Sequence, residues 1–214
     1  MVVASATLWV PVLRHVIGFI GGVNASASAV ESVLQKGETL AVAPGGIAEM
    51  FLGYPRPGCG PDEEYALVLH RKGFVRLALK HGLPLVPVYV FGNTKLFKRL
   101  QLPPVVEALS KLLRTSLVLF WGRWGLPVPF QVPLLYAAGA PLDAHCADFA
   151  RMVNGAPAAA TNVSQGPRVR GLPGWSPSES EVSALHAEFC AALFKVFEEH
   201  KAGYGWGHKR LVLV

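Results

Sequence analysis

Short apolar runs alternate along this chain with stretches whose apolar residues recur at helical spacing. Ser28 and Glu31 form a Ser-x-x-Glu capping box that predicts a short helix closed by Gly37, and 39–43 follows as an apolar strand. Phe74, Leu77 and Ala78 then recur on one helical face, with Gly82 as the stop, and 85–91 reads as a second apolar strand. Residues 104–114 read as a helix with proline in its first turn, and 116–121 and 134–138 as further strands. Val182, Leu185, Phe189, Leu193, Val196 and Phe197 form the apolar stripe of a last helix, capped by Ser176 or Ser178 and ended by the glycines of 203–207. Helices alternating with short apolar strands predict an α/β fold, a mixed sheet flanked by helices in a single domain.

The chemistry concentrates in 43–93. Gly45 and Gly46 let the backbone turn tightly, and Glu49 is then presented near the preceding strand end, where open α/β sheets gather their ligands. Alone, Gly-Gly-x-x-Glu reads more often as a turn with a solvated carboxylate. Arg71, Lys72, Arg76 and Lys80 crowd the helix that follows. Cations so placed suit phosphates, and they equally suit a solvated helix face.

Composition narrows the partners. An apolar fraction of 51% with 16% charged residues, and a positive mean hydropathy, predict a membrane surface or a lipid partner. The most apolar stretch, 6–23, is interrupted by Pro11, Arg14 and His15 and falls short of the roughly 20 residues a bilayer core requires, so it reads as a core or interfacial helix. The net charge of +6 is spread out, densest at 71–80 and 95–99, without the stripe or module that nucleic acid requires. Anionic headgroups or coenzyme A phosphates suit it better, with a solvated face as the alternative for Lys95, Lys98 and Arg99. Cys59, Cys146 and Cys190 are odd in number and lack metal-ligand spacing, so neither a disulfide scaffold nor a metal site is expected. Residues 143–176 turn rich in Ala, Pro, Gly, Asn and Ser and read as a flexible insertion between a core at 1–142 and a C-terminal helix and tail at 177–214 packing on it.

Pro44-Gly45-Gly46-Ile47-Ala48-Glu49, Arg71-Lys72-Gly73-Phe74, Leu85-Val86-Pro87-Val88, Phe91-Gly92, Gly122-Arg123 and Gly139-Ala140-Pro141-Leu142 occur in the order of the signature blocks of the type 2 diacylglycerol acyltransferase family, which also includes monoacylglycerol and wax-ester acyltransferases, and the chain resembles it over about four-fifths of its length. The resemblance extends to His186, Lys201 and Tyr204-Gly205 near the end. It implies a glycerolipid-acyltransferase-like fold and an O-acyltransferase of triacylglycerol synthesis. Such an enzyme moves an acyl group from acyl-CoA, a substrate needing no cofactor, to diacylglycerol or a related alcohol, on the cytosolic face of the endoplasmic reticulum membrane or a lipid droplet. By resemblance, Glu49 supports catalysis, and Gly45, Gly46, Arg71, Lys72, Gly73, Phe74, Asn93 and Arg123 bind acyl-CoA or substrate.

Two departures qualify this. The family's His-Pro-His-Gly motif, which holds its catalytic histidine, is absent, and none of the seven histidines is followed by Pro-His-Gly. An N-terminally incomplete family member is therefore expected. Where the family reads Phe-Gly-Glu-Asn, this chain has Phe91-Gly92-Asn93-Thr94, without the carboxylate. A lipid- or acyl-CoA-binding relative lacking the histidine base is the alternative, and a basic peripheral protein with a structural glycine turn is a third.

Overall fold

The computed structural model describes residues 2–3, 15, 18–19, 21–49, 58–99, 120–126, 128–143 and 176–214. Helices and short strands alternate through them, in keeping with the α/β class. The strands are β1 (Val2–Val3), β2 (Val23–Asn24), β3 (Glu63–Ala66), β4 (Val88–Phe91), β5 (Lys98–Arg99), β6 (Phe120–Trp121), β7 (Leu135–Ala138) and β8 (Arg210–Leu213). The α-helices are α1 (Ala27–Gln35), α2 (Gly46–Glu49), α3 (Gly73–His81) and α4 (Glu179–Lys201). Among the described residues the sheet structure consists of four two-stranded ladders, β1 with β2, β3 with β8, β4 with β7 and β5 with β6. The first two are parallel and β5–β6 is antiparallel.

The chain divides into two compact units, each assembled from separated stretches. One comprises Met1–Val68, Val90–Tyr136 and Lys201–Val214, the other Leu69–Tyr89 and Ala137–His200.

In the first unit, β3 pairs with β8 in the register Glu63↔Arg210 to Ala66↔Leu213. Val68 N–H extends the ladder to the Val214 carbonyl at 2.9 Å. Side chains alternate across a strand, so Glu64 and Ala66 face inward and are buried. A carboxylate 5% exposed needs partners, because burying an unpaired charge is prohibitively costly. Lys209, itself 14% exposed, donates its ammonium to Glu64 Oε1, and the Thr94 hydroxyl donates to Oε2 at 3.3 Å. The Lys209 ammonium also lies 4.4 Å from the ring of buried Trp206, which packs edge-on against Phe91 and Tyr204. On the opposite face, Glu63 accepts from the Tyr65 hydroxyl, from Gly60 N–H at 2.8 Å and from Arg210 Nε at 2.9 Å. These donors hold the Glu63 carboxyl down at about 2, and the bond to Glu63 pushes Tyr65 up to about 12.

In the second unit, Val75, Ala78 and Leu79 of α3 meet Val182 and Leu185 of α4, with Phe74, Leu85 and Leu142 packed against them. Gly82 stops α3 in the left-handed region at φ 59°, where Leu83 N–H returns to the Ala78 carbonyl at 2.9 Å. Ser178 opens α4 as a reciprocal capping box: its Oγ accepts from Glu181 N–H at 3.3 Å while its own N–H donates to Glu181 Oε2 at 2.9 Å. All six residues of the expected α4 stripe are buried. Gly139 is required by close packing, since a Cβ there would stand 2.8 Å from a Val196 methyl and 2.9 Å from the Pro87 ring.

Several expectations need correction. The cap of α1 is Ser26, whose Oγ accepts from Ala29 N–H and whose own N–H donates to Asn24 Oδ1 at 3.2 Å, so the helix starts before Ser28 can serve as its cap. Residues 39–43 form no strand: among the described residues no ladder partner reaches them, and 41–43 are exposed. The buried face of α3 is Val75, Ala78 and Leu79, with Phe74 and Leu77 half-buried beside it. The expected strand at 85–91 narrows to β4, because Pro87 lacks a ladder donor and Leu85 makes only an isolated bridge to Leu142. The helix expected at 104–114 lies outside the described residues, as do most of the strand at 116–121, nearly all of the insertion and most of 6–23. No helix among the described residues is long and apolar enough to cross a membrane.

Lys209→Met strands the Glu64 carboxylate and is expected to cost about 3–5 kcal/mol in urea unfolding, whereas pairing it with Glu64→Leu recovers most of the loss. Glu63 stabilises the fold fully above its unfolded pKa of about 4.3 and loses that contribution as pH falls towards 2. Glu63→Gln should therefore flatten the acid limb of an unfolding titration.

Candidate functional site

Five of the nine residues singled out from the sequence, Gly45, Gly46, Glu49, Asn93 and Arg123, belong to the first unit. Arg71, Lys72, Gly73 and Phe74 belong to the second.

The two glycines act differently. Gly46 takes φ 54°, in the left-handed region, and opens α2. Gly45 is buried, and a Cβ there would overlap Glu49 Oε2 and lie 2.6 Å from Glu49 Cβ. The turn thus makes room for a Glu49 side chain folded back over it. Its Oε1 accepts from Leu67 N–H at 3.4 Å, which puts the carboxylate beside the end of β3 instead of the expected strand at 39–43. Burial pushes the Glu49 carboxyl above its ordinary value, and the Leu67 N–H only partly offsets this. A half-buried carboxyl with raised proton affinity suits a group that orients a base or a hydroxyl.

Asn93 is exposed at the start of a 3-10 turn, Asn93–Lys95. The turn depends on Gly92, at φ 85°, where a Cβ would overlap the Tyr204 hydroxyl and stand 2.7 Å from the Pro133 carbonyl. Tyr204 donates that hydroxyl to Pro133 O at 2.7 Å and sets its ring 5.5 Å from Phe91. Arg123 begins a second 3-10 turn, Arg123–Gly125, held by Gly122 N–H on Leu126 O and Arg123 N–H on Val128 O, both at 2.8 Å. A Cβ on Gly122 would overlap Val128 O, so this loop closes only around glycine.

In the second unit, Lys72 Nζ donates to Ser183 Oγ at 2.9 Å, and Phe74 packs edge-on against Phe189 at 4.9 Å. Arg71 is exposed, and a Cβ on Gly73 would meet nothing within 4 Å. Arg76 pairs with Glu179 at the surface. Lys72, Phe74 and Arg76 are thereby tied to α4.

The sequence does not single out Glu64, Trp206 or Lys209, which with Thr94 hold the Asn93 turn and the tail together. Their only advance signal is Tyr204-Gly205, already among the family-like blocks.

Residues 1–148 match the family model described as diacylglycerol acyltransferase. The chain is 32% identical over 222 residues to human 2-acylglycerol O-acyltransferase 3, covering 96% of this chain and 55% of that protein. It is 30% identical over 216 residues to bovine diacylglycerol O-acyltransferase 2-like protein 6, covering 92% and 54%. With mouse acyl-CoA wax alcohol acyltransferase 2 it shares 29% over 220 residues, covering 96% and 56%. The chain thus spans about half the length of these curated relatives. No solved structure matches it.

Glu49→Gln keeps the acceptor for Leu67 N–H and removes a charge that burial disfavours. A carboxyl with a raised folded pKa penalises folding as pH rises through its unfolded pKa and beyond. Glu49→Gln should therefore raise the melting temperature at pH 8, with the gain vanishing below about pH 4, near the unfolded carboxyl pKa.

Proposed function

The chain belongs to the diacylglycerol acyltransferase family, and on that premise we propose that it carries the acyl-CoA-handling part of an O-acyltransferase of neutral-lipid synthesis. The observation that carries this is the extent of the match: all nine candidate residues lie within residues 1–148. The proposed reaction moves an acyl group from acyl-CoA to diacylglycerol or a related alcohol. The relatives' names span 2-acylglycerol, diacylglycerol and wax alcohol chemistry, which keeps the acceptor class to lipid hydroxyls.

Transfer requires a base to take the hydroxyl proton and donors to hold the oxyanion formed when that oxygen attacks the thioester carbon. The oxyanion then collapses, the carbon–sulfur bond breaks and coenzyme A leaves as the thiol. Glu49 is proposed as a positioning residue for the histidine base of a His-Pro-His-Gly segment, a motif that does not occur in residues 1–214. Its raised proton affinity and its place over the Gly45-Gly46 turn support that role. Acyl-CoA is a substrate in this scheme and no resident cofactor takes part. A glycerolipid-acyltransferase-like sheet is the proposed fold, and the cytosolic face of the endoplasmic reticulum membrane or lipid droplet the proposed location, consistent with 51% apolar residues.

The test joins the chain to an upstream segment bearing His-Pro-His-Gly and measures transfer of labelled oleoyl groups from oleoyl-CoA to diacylglycerol. Transfer is expected, with Glu49→Gln lowering kcat about 10²-fold or more, in the range of a general base's contribution. Activity unaffected by both Glu49→Gln and Gly46→Val would overturn the site.

A further inference from the structure

The cations of this chain differ in what holds them. Lys209 and Arg210 are paired with Glu64 and Glu63, Arg76 with Glu179, and Lys72 with a serine hydroxyl. Lys95, Lys98 and Arg123 rest instead on aromatic rings. The Lys95 ammonium lies 5.1 Å from Trp206 and 6.0 Å from Tyr204, Lys98 is 5.8 Å from Phe130, and Arg123 is 4.4 Å from Trp124. None of these three has a carboxylate partner among the described residues. An aromatic face steers a cation without cancelling its charge or occupying its N–H donors.

All three belong to one hydrogen-bonded corner of the first unit. Lys98 in β5 faces Trp121 in β6, two residues before Arg123. Phe130 N–H, at the far end of the same loop, donates to Leu96 O at 2.9 Å, next to Lys95. The loop holds Trp124 at φ 57°, an unfavourable conformation for a bulky residue, with the residue 74% exposed. Backbone strain that keeps a tryptophan in solvent gathers at sites that bind something. Beneath Lys95, the indole Nε1 of Trp206 is buried, with no hydrogen-bond partner among the described residues.

We infer that this corner binds phosphate groups, with Lys95, Lys98 and Arg123 supplying charge and Trp124 an exposed face for a flat or apolar neighbour. On the acyl-transfer proposal above, on which this assignment rests, the phosphates are those of the nucleotide end of the acyl-CoA donor. A phospholipid headgroup offers the same chemistry from a different source.

Binding is measured on the whole 214-residue chain, with coenzyme A and adenosine 3′,5′-bisphosphate by calorimetry. A second arm uses co-sedimentation with phosphatidylcholine vesicles, with and without phosphatidylserine. Both soluble ligands are expected to bind, and the double variant Lys95→Glu, Lys98→Glu to weaken them at least about tenfold while circular dichroism and melting temperature hold. The matching double arginine variant, which keeps the charge, should retain binding. If only phosphatidylserine vesicles bind and the charge reversal abolishes that, the source is a lipid headgroup and the donor assignment is overturned. No binding in either arm, or binding indifferent to charge reversal, overturns the site. The acyltransferase proposal fails separately, by absence of oleoyl transfer while coenzyme A binding persists.

Discussion

A charge on the inner face of a strand obliges the rest of a structure to answer it, and Glu64 does this in the first unit. It occupies the inward position of β3, where an apolar residue would ask only for volume, and demands a cation and a hydroxyl. Both arrive from far along the chain. Lys209 brings the tail, and with it Trp206 and Tyr204; Thr94 brings the turn that begins at Asn93. Tyr204 then closes on Gly92 so tightly that no other residue fits there. The exposed position of Asn93 therefore follows from a buried ion pair that never touches it.

The second unit is governed by apolar packing instead. Two helical stripes meet, and the polar residues at their edge, Lys72 with Ser183 and Arg76 with Glu179, join α3 to α4. An exposed pair such as Arg76 with Glu179 contributes little stability of its own. The basic character of 71–80 is thus shared between structure and solvent, with Arg71 left exposed.

What the sequence reveals follows the range over which each signal acts. Helical periodicity and caps are local, so α3, α4 and the Gly82 stop were legible and the α4 cap was narrowed to Ser176 or Ser178. Serines stand at both 26 and 28, and only the contact of Asn24 with the Ser26 backbone selects the first. β3 was illegible because its inward residues are Glu64 and Ala66, which carry no apolar alternation. The Gly45-Gly46 turn was legible as a turn around Glu49, yet the neighbour of that carboxylate, the Leu67 backbone, is set by the fold. In the same way, nothing near Lys72 announces a serine 111 positions away.

The β3–β8 ladder carries one more consequence, for the order in which the molecule is made. It joins residues up to 147 positions apart, and parallel pairing across such a separation is slow because the closure entropy falls due before any contact rewards it. During synthesis Glu64 emerges long before Lys209, so the nascent first unit carries a carboxylate that it cannot yet bury. Its edge stays wet and open until β8 has been made and can pair with β3. The ion pair thus acts as a clock as well as a clasp: the first unit closes only after Lys209 and β8 have followed Glu64 off the ribosome.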